Sequence, residues 1–352
     1  VFSGDYAKAR QRWEPVAEVT QIKGDSETHP ILSPDDEFAD FETYPYYIQR
    51  DLERYQARRG DYLRSALRRG LELEARLGTN PYRLGMIGST DAHTGLSSAD
   101  EDNFHGKMAT DSIPANKNRR FGTAGGTSGW SMSASGLAAV WATENTREAI
   151  LAAIKRREVY ATTGPRISLR FHAANSLEPR AEADEASEDL ALFLARSVPM
   201  GGVLTADEGA VPVFYVEALH DPRSAFLDRV QIVKGWLDAD GNSQEQVFDV
   251  LLSDPARRGA DGTIAPVADT VDRFNGKVDN RVGSAVLAGR WQDPEFDPGQ
   301  AAFYYARVLQ IPTARHSFLD ALALGLEHAR GQPDTIQERA YSSPIWYSPT
   351  AQ

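Results

Sequence analysis

The sequence predicts a mixed chain, an α/β unit over residues 1–165 followed by a β-rich unit over residues 166–352. Three observations carry this. An amphipathic helical pattern leads into a short apolar strand that ends in Thr90-Asp91-Ala92-His93. A second helix–strand pair follows a long polar loop. Beyond Pro165 the helical spacing stops, and short β-like runs recur between Gly, Pro and Asp turns.

The elements follow in order. Val16-Ala17-Glu18-Val19-Thr20-Gln21-Ile22 alternates small apolar with polar residues after Pro15, the pattern of a strand. It runs into the polar loop Lys23 to Pro30, and residues 34–59 show no clear period. From Asp61 to Leu77, Leu63, Leu67 and Leu71 recur every four residues, and Gly78 stands where a helix C-terminus favours glycine. Arg83 to Ser89 reads as a short buried strand. Residues 94–135 are rich in Gly, Ser, Thr and Asn and read as one long irregular loop. A second helix is expected from Asn145, with Asn145 as N-cap and Glu148 at N3. Strand Val159–Thr163 and the turn Gly164-Pro165 close the first half. In the second half, 167–171, 191–195, 213–219, 230–236, 247–252 and 303–311 read as strands of a sandwich. Ser317 to Leu324 fits a short helix and Ala340–Tyr347 a last strand. The stretch 178–189 reads as an acidic surface loop.

Composition narrows the function classes. Hydrophobic residues make up 41% and charged residues 25% of 352, a globular balance. A formal charge of −12 repels nucleic acid and acidic membrane surfaces, so neither is expected as a partner. There is no cysteine, so a transition-metal site must draw on His, Asp and Glu. No apolar stretch approaches the roughly 20 residues that span a bilayer. The compartment is left open. The chain opens Val-Phe-Ser-Gly-Asp-Tyr, which reads as a mature end, a cleavage product or an engineered boundary. A serine-hydrolase motif is absent, and the glycine-rich string Gly122 to Gly129 lacks the lysine of a phosphate-binding loop.

Asp91-Ala92-His93 is the strongest chemical signal. In an extended segment residues i and i+2 point to one side, so a carboxylate and an imidazole converge there. Both are suitable ligands for Zn²⁺, Mn²⁺ or Fe²⁺. On spacing alone the plain alternative, a capping Asp beside a surface His, stays open. Glu18 lies on the preceding strand, as a further candidate ligand or a hydrogen-bonding neighbour. Lys23 and His29, on the loop after it, and Lys107 are candidates for binding an anionic group, against the alternative of a solvated turn.

Several longer stretches resemble the DUF3604 family. They include Glu18 to His29, Gly85 to Leu96, Glu101-Asp-Asn-Phe, Ala139 to Arg147, Tyr160 to Arg166 and Glu338 to Trp346. The resemblance implies a PHP metallohydrolase, whose fold is a distorted seven-stranded (β/α) barrel with two or three metals at the strand ends. On that reading residues 1–165 are the C-terminal portion of the barrel, followed by a β-sandwich-like region. Asp91 and His93 match the D-x-H motif that closes the PHP metal site, with Asp91 also able to take a proton. The early H-x-H pair and the other ligands of that site have no match here, so an N-terminal segment of the same protein is the expected partner that supplies them.

The function expected is hydrolysis of a small anionic substrate by metal-activated water, first of a phosphoester or phosphonoester. Sulfate-ester or amide hydrolysis is the alternative within that class. A reading of another class makes the β-rich half a non-catalytic carbohydrate-binding or assembly module, on the strength of Tyr304, Tyr305 and Tyr347.

Overall fold

Strand Ala302–Gln310 is buried at every position, so it needs cover on both faces. The computed structural model, which describes residues 3–44, 56–119, 128–133, 136–176, 190–205 and 209–349, supplies it in three layers. The middle layer is an eight-stranded sheet. Ala302–Gln310 lies antiparallel to Leu227–Leu237 on one side and to Arg339–Ser342 and Ile345–Ser348 on the other. Ser243–Leu252 extends one flank, and Val159–Thr162 with Leu137–Val140 the other. Val203–Thr205 adds in parallel beside Ile345–Ser348. The hydrogen-bonded ladder therefore runs through strands from both sides of residue 165.

The period-two rule divides the strand's side chains between two cores. Tyr304, Ala306 and Val308 face a four-stranded sheet ordered Val286–Gln292, Val211–Leu219, Ser168–Ser176, Val198–Pro199. Phe214 of that sheet meets Tyr304 with ring centroids 4.4 Å apart. Phe303 and Tyr305 face the other way, onto Leu63, Leu67 and Leu71 of helix Leu63–Leu77 and onto Val19 and Met86. Val19 and Met86 belong to a small sheet in which Val16–Gln21 and Gly85–Gly88 run parallel, with Gly24–Asp25 on the outer edge. Helix Leu63–Leu77 connects those two parallel strands, as expected of a βαβ unit. Among the described residues the strands form no closed barrel, and no helix is long and apolar enough to cross a membrane.

Buried charge ties the outer βαβ layer to the middle sheet. Glu27 and Asp36 meet Arg64 of the helix and Arg307 of the central strand, all four buried. Asp36 takes Arg64 at 2.8 Å and Arg307 at 2.7 Å, and Glu27 takes Arg307 at 3.0 Å. Tyr305 donates to Glu27 and accepts from Arg64 Nε. Two guanidiniums offset two carboxylates, and this balance makes burial tolerable.

Several expectations change. Residues 191–195 lie in a helix, Leu190–Arg196, because Leu-Ala-Leu-Phe-Leu-Ala has no β-branched residue and is rich in helix formers. The cap of helix Arg147–Arg156 is Thr146, whose side chain accepts from the Ala149 amide, rather than Asn145. The last strand is two strands, broken at Ser343-Pro344. Gly4–Trp13 is a helix, and Leu137–Val140 and Val286–Gln292 are strands, none of them anticipated. The long loop carries short helical turns at Glu101–Asn103, Ala109–Asp111, Pro114–Lys117 and Gly129–Ser131. The acidic stretch 178–189, residues 45–55 and most of the glycine-rich string lie outside the described residues.

Candidate functional site

Strands Val16–Gln21 and Gly85–Gly88 end side by side, and the chain leaving each one carries the site. Ser89 N bonds Thr20 O and Ile22 N bonds Thr90 O, which keeps the two exits together. Gly88 is required here, since a Cβ would stand 2.7 Å from the carbonyl of Leu137 on the neighbouring strand. Asp91 then adopts a left-handed φ of 45°. Asp tolerates this region better than most residues because of its short polar side chain. The turn, not an extended strand, is what brings Asp91 Oδ1 to 3.4 Å from His93 Nε2. The pairing expected from the spacing is present, by a different backbone route.

Two lysines close on the same carboxylate. Lys23 ion-pairs with Asp91 Oδ2, and Lys107 Nζ lies 3.5 Å from that oxygen. Lys107 also donates to the Asp91 carbonyl at 3.1 Å and sits 3.3 Å from His93 Nε2. Its loop is pinned alongside by the bond from His93 N to Lys107 O at 2.7 Å. Partial burial and the neighbouring Lys107 ammonium lower the Lys23 pKa to about 8, against a smaller opposing pull from Glu18. Glu18 itself accepts from Ser89 Oγ at 2.6 Å. The His93 side chain is more open than Asp91, at 54% exposed against 31%.

Five of the six residues singled out from the sequence are thus gathered at one strand-end mouth. His29 has other company. Its Nδ1 accepts from the Ile31 amide at 3.1 Å and its ring packs 5.6 Å from Tyr62. Asp91 and His93 offer one oxygen and one nitrogen donor, a pair suited to a divalent transition ion. Among the described residues no group of three or more His, Asp or Glu is placed to hold such an ion. The pair fits as two ligands of a site that needs others.

Tyr304, Tyr305 and Tyr347 are buried, so they provide no exposed platform for stacking a sugar. A second polar centre was not weighed from the sequence. Glu101 and Glu338 meet across the two halves of the chain, beside an ion pair of Glu42 and Arg315. Their only sequence signal was membership of the stretches Glu101-Asp-Asn-Phe and Glu338-Arg-Ala-Tyr.

The family model described as "Protein of unknown function (DUF3604)" matches residues 2–349. The chain belongs to the DUF3604 family. No curated protein and no solved structure matches this DUF3604 chain.

Proposed function

We propose that this DUF3604 protein is a PHP-type metal-dependent hydrolase of small anionic esters, phosphoesters or phosphonoesters first, and that this chain carries part of its active centre. The reading rests on one observation, the convergence of Asp91, His93, Lys23 and Lys107 where two parallel strands end. Asp91 and His93 would hold a divalent cation together with ligands from outside this pair, an N-terminal segment of the same protein being the expected source. When bound, such an ion supplies Lewis-acid polarisation and a more acidic water.

The chain's own residues have separable tasks. Lys23 and Lys107 are point charges with rotatable donors, suited to the non-bridging oxygens of an anionic ester. Partial burial of both strengthens that attraction over its value in bulk water. Asp91 is the group that can accept a proton, and Glu18 with Ser89 borders the mouth. Sulfate esters present a similar array of oxygens and are the alternative substrate class.

The test is an assay of the full-length protein on aryl phosphate, phosphonate and sulfate esters with added Mn²⁺, Zn²⁺ or Fe²⁺, paired with elemental analysis. Phosphate or phosphonate turnover that disappears in Asp91→Asn, together with lowered metal content in His93→Ala, is the expected result. Metal bound at full occupancy with no turnover of any ester would sink the proposal.

A further inference from the structure

The side chain of Lys107 stands where the ligand atoms of the Asp91–His93 pair converge. Its Nζ donates to the Asp91 carbonyl at 3.1 Å, lies 3.5 Å from Asp91 Oδ2 and approaches His93 Nε2 at 3.3 Å. An ammonium has three donors and no acceptor, so the imidazole nitrogen facing it is the acceptor and the ring proton sits on Nδ1. A neutral imidazole nitrogen has one lone pair to give. While Lys107 holds it, His93 Nε2 has none left for a metal ion. The carboxylate is shared in the same way, since Lys23 ion-pairs with Asp91 Oδ2, the oxygen that also faces Lys107. Asp91 Oδ1 faces His93 Nε2 across 3.4 Å, close to the edge of a tetrahedral site with bonds of about 2.0–2.1 Å.

The backbone around Lys107 is held, so a change of partner falls to its side chain. His93 N bonds Lys107 O at 2.7 Å, and the Met108 amide bonds Asp111 Oδ2 at 3.0 Å. Gly106, at a left-handed φ of 77°, has no room for a side chain, since a Cβ would stand 2.5 Å from Asp111 Cβ. The open His93 ring beside it gives the ammonium a way out to the mouth. Lys23 meets the cluster at Asp91 Oδ2, whereas the contact with His93 Nε2 is made by Lys107. Whatever free energy the Lys107 ammonium contributes to these atoms is subtracted from their affinity for a second cation.

We propose that Lys107 and a divalent cation exchange at one point, the lone pair of His93 Nε2 beside Asp91, so that Lys107 sets the cation affinity of the site. This rests on the metal-dependent reading of the same residues. Displaced, the ammonium is left at the mouth for the anionic ester. The experiment is calorimetric titration of the full-length protein with MnCl₂ and with ZnCl₂, in the unaltered form, in Lys107→Met and in Lys23→Met. Lys107→Met should tighten binding at least about tenfold, the removal of one competing charge-assisted contact, and Lys23→Met clearly less. In the unaltered protein, acetylation of Lys107 by an N-hydroxysuccinimide ester, read by mass spectrometry, should rise severalfold when Zn²⁺ is bound. That measurement requires no variant to fold. Unchanged or weaker binding in a folded Lys107→Met, equal tightening by Lys23→Met, or Lys107 acetylation indifferent to bound Zn²⁺ would each overturn the assignment. These readouts use no turnover, so an inactive protein that binds the cation sinks the hydrolase reading alone, whereas no cation bound in any form overturns both.

Discussion

At the scale of single residues, this protein places unusual weight on buried charge. Arg307 is fully buried and serves both Glu27 and Asp36. Replacing it with Met leaves two carboxylates with only Arg64, and breaking a buried pair of this kind costs about 3–5 kcal/mol. Urea denaturation of Arg307→Met should show that loss as a lowered midpoint. The carboxyls also set a pH dependence. Burial, with Glu27 adjacent and Arg339 opposing, lifts Asp25 to about 7, and Glu101 also rises to about 7. Folded pKa values above the unfolded ones mean that the native state binds more protons between about pH 4 and 7. Stability from these groups is therefore full below about pH 4, declines as pH rises towards 7, and is absent above it. Glu27 and Asp36 are shifted down by their arginines, so they act in the opposite sense below about pH 4. Melting temperatures measured from pH 4 to 9 should fall between about pH 4 and 7 and then level off, and Glu101→Gln should flatten that decline. None of this was legible beforehand. Asp25 and Glu27 sit in a polar stretch that reads as a solvated turn, because the arginine and tyrosines that bury them come from residues 305–341. The Asp91–His93 pair was legible as a pair, though the left-handed turn that forms it was not.

At the scale of elements, local signals succeeded where one face alone decides. Helix Leu63–Leu77 was plain from the four-residue recurrence of leucine and the glycine stop, and Gly78 does adopt a left-handed φ of 69°. Leu67→Ala removes a fully buried side chain from that face and should cost about 2–5 kcal/mol in a chemical denaturation experiment. Strands Leu227–Leu237 and Ala302–Gln310 were visible as dense apolar runs. Residues 191–195 misled because a short apolar run has no period of its own, and only the lack of β-branching distinguishes it. Gly88→Ala tests the approach of strand Gly85–Gly88 to Leu137. Its added methyl should cost about 1–3 kcal/mol and shift the exit that carries Asp91; under the proposed hydrolase function, ester turnover would fall together with stability.

At the scale of the whole molecule, the sequence changes character near Pro165, but the middle sheet runs through that point. Val159–Thr162 bonds to Arg339–Ser342, and Thr163 N bonds to the Arg339 carbonyl. Residues 1–165 produced alone would leave Val159–Thr162 with an unpaired edge and the apolar faces of Leu67 and Met86 uncovered. That fragment should show no cooperative thermal transition, whereas co-expression with residues 166–352 should restore one. Long-range pairing of this kind is what a residue-by-residue reading cannot supply, since it depends on partners hundreds of positions apart.

The Glu27–Tyr305 contact joins positions separated by 278 residues. On the ribosome, the opening strand, its helix and their acidic loop emerge long before the arginine and tyrosine that complete them. The early segment must wait, its leucine stripe unsheltered, until Tyr305 and Arg307 have been made. Such late closure slows acquisition of the native state and prolongs exposure of sticky surface. Yield in a heterologous host should consequently depend on growth temperature and holdase capacity more than on the final stability of the fold.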